Sequence, residues 1–183
     1  ILVKHSVPEI IENAPAREWK LSAEGRLRCK RLAERLAPYQ PTQIISSVEP
    51  KARETAELVA QELGLATHVI DGLHEHERSQ MGYLSKEKFE EAVCEFFAHP
   101  NELVFGSEAA EQAYLRFQSS INLALHKFPD QTIVVVAHGT VISLYVSHFN
   151  TISGLSLWKE LGLPSFVVLD LESRSMNAQE NIQ

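Results

Sequence analysis

Two histidines follow apolar segments that are typical of buried strands. His5 comes after the run ILVK and His138 comes after IVVVA, and a small residue follows each histidine. A strand buried on both faces of a parallel sheet has such a continuous apolar run, and its carboxyl end is where open α/β sheets bind ligands. One histidine in that place could simply cap a strand. Two in matched settings favour a functional site, since imidazole chemistry operates near neutral pH.

Charged residues follow two further strand-like segments. IISS leads into VEPKARETAE, which places Lys51 and Arg53 in the first turn of a helix, where free backbone N–H groups favour an anion. GLHEHER carries Glu75 between His74 and His76. If the strands are parallel, these side chains meet at one edge of the sheet and suit an anionic ligand. The alternatives are a solvated helix start, with Arg53 paired to a nearby Glu, and a polar loop around Glu75.

Strand and helix patterns alternate along the chain. Ser22 is predicted to cap a helix that buries Leu27, Leu32 and Leu36 and stops before Pro38. Helical spacing predicts further helices at 50–63, about 85–98, about 107–127 and after His138, and apolar runs predict strands in ILVK, TQIISS, ATHVI, TIVVVA and SFVVLDL.

This alternation predicts the α/β class, as a three-layer α/β/α sandwich with a mostly parallel sheet covered on both faces. There is no internal repeat and no low-complexity segment, so a single domain over residues 1–183 is expected. The least regular region, at about 72–106, lies between a strand end and the longest helix, which suits a lid-like insertion. The polar tail from Ser173 is predicted to be frayed.

Composition argues against several classes of partner. Of 183 residues, 44% are hydrophobic and 22% charged, as in an ordinary soluble protein. The net charge of −7 disfavours nucleic acid and anionic membranes, and no apolar run approaches the ~20 residues that span a bilayer. Two distant cysteines, Cys29 and Cys94, favour a reducing, cytoplasmic setting. Because the chain starts within a strand and without Met, residues upstream of Ile1 are expected.

The ordered set of motifs resembles the histidine phosphatase superfamily, also called phosphoglycerate mutase-like. The family begins with a strand and Arg-His-Gly, which falls on Lys4-His5-Ser6. Its Ser-x-Leu-x-Arg-Ala-x-Gln-Thr-Ala motif falls on residues 47–56, with Lys51 in the place of the Arg. The remaining matches are Leu21–Gly25, then Leu73 with Glu75 and Gly82, then Gly106–Ala109 with Arg116, and finally His138-Gly139. Each motif alone is weak, but the ordered set covers nearly the whole chain.

The resemblance implies a phosphoglycerate mutase-like fold and a metal-independent phosphomonoester hydrolase. His5 would form a phosphohistidine intermediate, His138 would donate to the transferring phosphoryl oxygens, and Glu75 would protonate the leaving oxygen. The implied phosphate-binding residues are Lys4, Ser6, Lys51 and Gly139, with Arg53 as a backup. The implied substrate is a small phosphorylated molecule, and neither a cofactor nor a metal is needed.

The chain departs from the family at its phosphate-binding positions. Lys4 and Lys51 replace arginines, which keeps the charge but loses the planar fork that binds two phosphate oxygens at once. Ser6 replaces a Gly that lets the backbone approach the phosphate. Alternatives are therefore a catalytically weak phosphate-binding module and mutase-type phosphoryl transfer, although mutases usually carry a longer insertion. A third alternative is a metal-dependent hydrolase using His74 and His76, for which no third ligand stands at a recognisable spacing.

Overall fold

The computed structural model describes residues 1–78 and 84–183, so Gly82 of the sequence motif lies outside the described residues. Within them, one mixed sheet has the strand order β3-β2-β4-β1-β5-β6. The strands are β1 (Leu2–Lys4), β2 (Gln43–Ser46), β3 (Thr67–Val69), β4 (Ile133–Ala137), β5 (Ser165–Leu169) and β6 (Met176–Asn181). The first four run parallel, whereas β5 and β6 pair antiparallel. The prediction of a mostly parallel sheet is confirmed.

The α-helices of the described residues are α1 (Ala23–Leu36), α2 (Pro50–Leu63), α3 (Lys86–Ala98), α4 (Ala110–Lys127), α5 (Gly139–Phe149) and α6 (Gly154–Glu160). The side chains of Ser22 and Ser85 cap α1 and α3 by accepting from backbone N–H groups of the first turn. Pro50 occupies the start of α2, and Gly64 ends that helix at a φ of +67°. None of these helices combines the length and apolar character needed to cross a membrane.

Two apolar cores cover the two faces of the sheet. In β4, Ile133, Val135 and Ala137 belong to one core and Val134 and Val136 to the other. The first core packs against α4 and α5, and the second packs against α1 and α2. Every residue of β4 is buried, which explains why its sequence is apolar without alternation. The predicted three-layer α/β/α sandwich is confirmed.

A third, smaller cluster joins the segment predicted to be a lid to α4. Val93 and Phe96 of α3 are buried with Phe105 and Ala110, and Phe89 packs against them. Leu144, Leu155 and Trp158 also pack against this cluster, so it ties the segment to α5 and α6.

Two expectations about the elements are wrong. Leu27 is 72% exposed. It lies about 140° around the helix from Leu32, so the two cannot share one buried face. The tail after Ser173 is not frayed, because residues 176–181 form β6 and pair with β5. The helix α6 was not predicted, and Ser153 caps it.

Candidate active site

The carboxyl ends of β1 and β4 bring two histidines together. Lys4 is in register with Ala137, and the backbone N–H of His5 donates to the Ala137 carbonyl at 3.0 Å. The chain therefore leaves both strands at the same level. The ring centroids of His5 and His138 lie 5.2 Å apart.

His5 is a buried, neutral imidazole with one nitrogen held by the backbone. Burial, followed by the charges of His138 and Lys51, lowers the pKa of His5 well below its usual range. Its Nδ1 lies 2.7 Å from the carbonyl oxygen of Ser6. A carbonyl can only accept, so Nδ1 carries the ring proton and donates it. Nε2 therefore retains its lone pair.

Ser6 uses both of its donors within the protein. Its backbone N–H donates to Thr55 Oγ1 at 3.0 Å, and its Oγ donates to the Gly25 carbonyl at 2.7 Å. A Cβ on Gly25 would lie 2.1 Å from the carbonyl oxygen of Val7, so only glycine permits this approach of α1 to the loop after β1. These contacts tie Ser6 to α1 and α2 and do not favour it as a phosphate-binding residue.

His138 is fully buried at the amino end of α5. Its Nε2 lies 2.9 Å from Ser47 Oγ and 3.5 Å from Glu49 Oε1. Its Nδ1 has no hydrogen-bond partner among the described residues. Burial and then the charge of Lys51 lower the pKa of His138 well below its usual range, although Glu75 acts in the opposite direction. This ring is also neutral near pH 7.

Glu75 is an ionised carboxylate close to His138. One of its oxygens accepts from the backbone N–H of His76 at 2.9 Å, and the other accepts from the N–H of Thr140 at 3.2 Å. Burial alone would raise the pKa of Glu75, but the charge of Arg78, the charge that His138 gains on protonation at low pH, and the hydrogen bond from His76 outweigh burial and lower it to about 2.

A partly buried ion pair holds the segment that carries Glu75. Arg116 Nε donates to Glu108 Oε1 at 2.8 Å, and Arg116 Nη1 donates to the carbonyls of Gly72 and His74 at 2.7 and 2.9 Å. The same guanidinium donates to the carbonyl of Glu75 at 3.3 Å. The Gly-x-Glu and Arg residues of the sequence motif therefore position the Glu75 segment.

Lys51 is buried and already has a counter-ion. It forms an ion pair with Glu49, and its Nζ donates to the carbonyl of Ala16 at 2.8 Å. Glu49 also accepts from the backbone N–H of Glu75 at 2.8 Å. Sequence reasoning missed Glu49, because a glutamate before Pro50 resembles an ordinary helix start and the family has Leu there. The site thus contains an anion of its own beside Lys51.

Lys4 is held by the backbone at the end of α6. Its Nζ donates to the carbonyl of Leu161 at 2.7 Å. A Cβ on Gly139 would lie 3.1 Å from Lys4 Cε, so the missing side chain at 139 makes room for the lysine stem. Burial lowers the pKa of Lys4 to about 8, partly opposed by Glu75.

Two other predicted candidates do not join the site. Arg53 lies on the exposed side of α2, 3.6 Å from Glu57, so the backup role predicted for it does not fit. His76 is packed against Phe96, with its Nε2 2.8 Å from the carbonyl of Glu108. Within residues 1–78 and 84–183, no group of three or more His, Cys, Asp or Glu residues could hold a metal.

A cavity of about 440 Å³ opens beside Lys51 and Glu75. Arg78 lines this cavity with its guanidinium carbon 4.9 Å from the ring centroid of Phe89. Sequence reasoning missed Arg78, since its segment resembles a polar loop. The apolar lining residues come from the loop after β1 and from the predicted lid: Ile10, Ala14, Pro15, Ala16, Trp19, Leu84, Phe89 and Phe105.

Comparisons with known proteins agree with this architecture. The family model of the histidine phosphatase superfamily (branch 1) matches residues 12–180, a range that begins after Lys4-His5-Ser6. The structure of phosphoserine phosphatase from Entamoeba histolytica, in complex with 3-phosphoglyceric acid, is 18% identical with a TM-score of 0.76, covering 100% of this chain and 96% of that one. Mycobacterial glucosyl-3-phosphoglycerate phosphatase, complexed with VO3, is 18% identical with a TM-score of 0.73, covering 98% and 94%. Among curated protein sequences, none matches.

Proposed function

The chain belongs to the histidine phosphatase superfamily, and from this premise we propose that it is a metal-independent phosphomonoester hydrolase whose nucleophile is His5. The observation that carries the proposal is the pair of neutral imidazoles 5.2 Å apart, with Nδ1 of His5 donating to a carbonyl. That arrangement leaves Nε2 of His5 as a nucleophile whose lone pair needs no prior deprotonation. The solved phosphatases with this fold act on small phosphorylated molecules, which agrees with a substrate of that class.

In the first step, His5 Nε2 forms a bond to phosphorus while the bond from phosphorus to the alcohol oxygen breaks. We assign the proton of His138 to Nδ1, because the hydroxyl of Ser47 can donate to Nε2 at 2.9 Å. Nδ1–H can then donate to a phosphoryl oxygen, and the partner it lacks within the described residues would be the substrate.

The leaving oxygen needs a proton that Glu75 does not hold in the free protein. With a pKa of about 2, Glu75 is ionised at neutral pH. A phosphomonoester loses its second proton near pH 6, so the monoanion can carry the proton into the site. Glu75 accepts that proton from the phosphate and passes it to the leaving oxygen. In the second step, Glu75 takes a proton from water, whose oxygen attacks phosphorus as the bond to His5 breaks, releasing inorganic phosphate, and Glu75 then loses the proton to solvent.

The test is to trap the intermediate. Wild type mixed with a phosphomonoester and quenched in base should carry phosphate on His5, should release phosphate in the presence of EDTA, and should lose both properties in His5→Ala. His126→Ala is the matched control, because His126 is exposed on α4. Turnover that persists in His5→Ala, or that requires an added metal, would rule out this mechanism.

The ion pair of Lys51 with Glu49 favours a second candidate, a phosphate-binding module with little turnover. An internal anion beside the phosphate position weakens the field that stabilises the transferring group. Inorganic phosphate that binds to wild type without any hydrolysis of phosphomonoesters would support this second function over the first.

A further inference from the structure

Four charged groups close to the histidine pair cancel one another. Lys51 is paired with Glu49, Lys4 donates to a backbone carbonyl, and Glu75 is ionised. Two cations and two anions leave no formal charge, and both histidines are neutral. A bound phosphate carries at least one negative charge, so a buried site for it calls for a further cation.

Arg78 is a cation within the same cavity, and it is held by aromatic rings. Its guanidinium carbon lies 4.9 Å from the ring centroid of Phe89 and 5.9 Å from that of Phe105. These contacts place the planar group against the aromatic rings and limit its orientations. In the described part of the chain, its buried Nη1 has no hydrogen-bond partner. A buried N–H group without an acceptor costs free energy, which a ligand oxygen would recover.

Arg78 is also close to the reacting groups. It lines the same cavity as Lys51 and Glu75, and after burial its charge has the largest influence on the pKa of Glu75. Gly106, at a φ of +84°, lets the chain beside Phe105 approach the Arg78 segment, since a Cβ there would lie 2.3 Å from the Glu77 carbonyl oxygen and 3.1 Å from Arg78 Cβ. The position of Arg78 is thus built by the two segments that meet in the predicted lid.

Charged residues line one part of the cavity and apolar side chains line another. Trp19 and Pro15 line it from the loop after β1, and Leu84 and Phe89 line it from the predicted lid. Its volume of about 440 Å³ is that of a cleft for a small organic ligand. An alcohol with an apolar or aromatic body would bury its surface against these residues while its phosphate lay near Lys51 and Glu75, which line the same cavity.

We propose that Arg78 binds the phosphoryl group of the substrate, and that this substrate is a phosphomonoester of an apolar or aromatic alcohol. The inference rests on the proposed hydrolase function and deepens it. The guanidinium fork that the family carries at the positions of Lys4 and Lys51 is here supplied from the segment after β3.

The first experiment changes the fork and keeps the charge. In Arg78→Lys, kcat/KM for 3-phenylpropyl phosphate and the affinity for inorganic phosphate should each fall about 10- to 100-fold. Arg31→Lys is the matched control, since Arg31 is exposed on α1, and it should behave as wild type. In wild type, the Arg78 side-chain N–H resonance should shift when inorganic phosphate is added, a readout that needs no variant.

The second experiment tests the alcohol. Propyl phosphate and 3-phenylpropyl phosphate have leaving alcohols of nearly equal acidity, so they differ mainly in the apolar group. Wild type should show a KM about tenfold lower for the phenyl compound, because the ring is buried in the cavity. Equal KM values would overturn the apolar-alcohol part of the proposal.

The outcomes separate this inference from the function on which it rests. Hydrolysis by wild type with unchanged kinetics and phosphate affinity in Arg78→Lys would overturn the role of Arg78 and leave the hydrolase standing. Phosphate binding that depends on Arg78, without any hydrolysis, would support Arg78 and overturn the hydrolase. Wild type that neither binds nor hydrolyses phosphate compounds would overturn both.

Discussion

The histidine pair and the part of the site on the predicted lid, Glu75 and Arg78, are held by different kinds of contact. His5 and His138 leave parallel strands in register, and His5 is fixed by the backbone, through the Ala137 and Ser6 carbonyls. Glu75 and Arg78 stand on a segment without regular structure, held by side chains, above all by the Glu108–Arg116 ion pair. A strand end can place a nucleophile by sheet geometry alone, whereas a loop needs charged groups to fix its course.

The largest loss of stability is expected from breaking the ion pair that holds the Glu75 segment. Arg116→Met leaves Glu108, whose side chain is 12% exposed, without its partner and removes a donor from three carbonyls. Leaving this partly buried carboxylate and three carbonyls without their donor costs about 3 kcal/mol, which denaturant unfolding would measure. The exposed pair of Arg35 with Glu180 gives the control, since Arg35→Met should cost little.

A double variant sharpens this prediction. Adding Glu108→Gln to Arg116→Met removes the uncompensated charge, so the double variant should be more stable than Arg116→Met alone. A loss equal to the sum of the two single variants would mean that the pair does not act as a unit.

The next largest effect is expected where α1 approaches the chain that follows β1 and holds His5. Gly25→Ala would place a Cβ 2.1 Å from the Val7 carbonyl, which must move α1 or the chain after Ser6. Overpacking of this kind costs about 1–3 kcal/mol, and Lys30→Ala, at an exposed position of the same helix, provides the control. If thermal unfolding of Gly25→Ala matched wild type, the close approach of α1 to β1 would not be needed to hold His5.

The same division explains what the sequence could predict. The strand of residues 133–137 and the helix starts at Ser22 and Pro50 depend on local patterns, and the structure has them as predicted. The pairing of β6 was missed, because an edge strand with one solvent-exposed face needs no continuous apolar run.

Glu49 and Arg78 were missed for another reason. Each acquires its importance only from side chains brought in by other segments: His138 for Glu49, and Phe105 for Arg78. No local spacing signals such contacts. The exposure of Leu27 has a simpler cause, since one leucine too far around a helix still resembles part of an apolar stripe.

A third prediction concerns Glu49, whose carboxylate lies near His138 and also accepts from the backbone N–H of Glu75. Glu49→Gln removes the counter-ion of Lys51 and keeps the side-chain shape, so inorganic phosphate should bind about tenfold more tightly, a change of ~1.4 kcal/mol. Glu57→Gln, on the exposed side of α2, is the control. Weaker binding in Glu49→Gln would indicate instead that Glu49 holds Lys51 in its phosphate-binding position. Calorimetric titration distinguishes the two results.

The smallest effect is expected from pH, through Lys4. Burial lowers its pKa from 10.5 to about 8 in the folded protein. Between these values the unfolded chain binds more protons, so the burial penalty is fully present below pH 8 and is relieved as the pH rises toward 10.5. Wild type should therefore gain stability relative to Lys4→Met between pH 8 and 9.5. The affinity for inorganic phosphate should instead fall over this range, because phosphate stays a dianion while Lys4 loses its charge. If the stability and the phosphate affinity of wild type changed with pH as they do in Lys4→Met, Lys4 would keep its proton over this range and would not contribute to the electrostatics of the site.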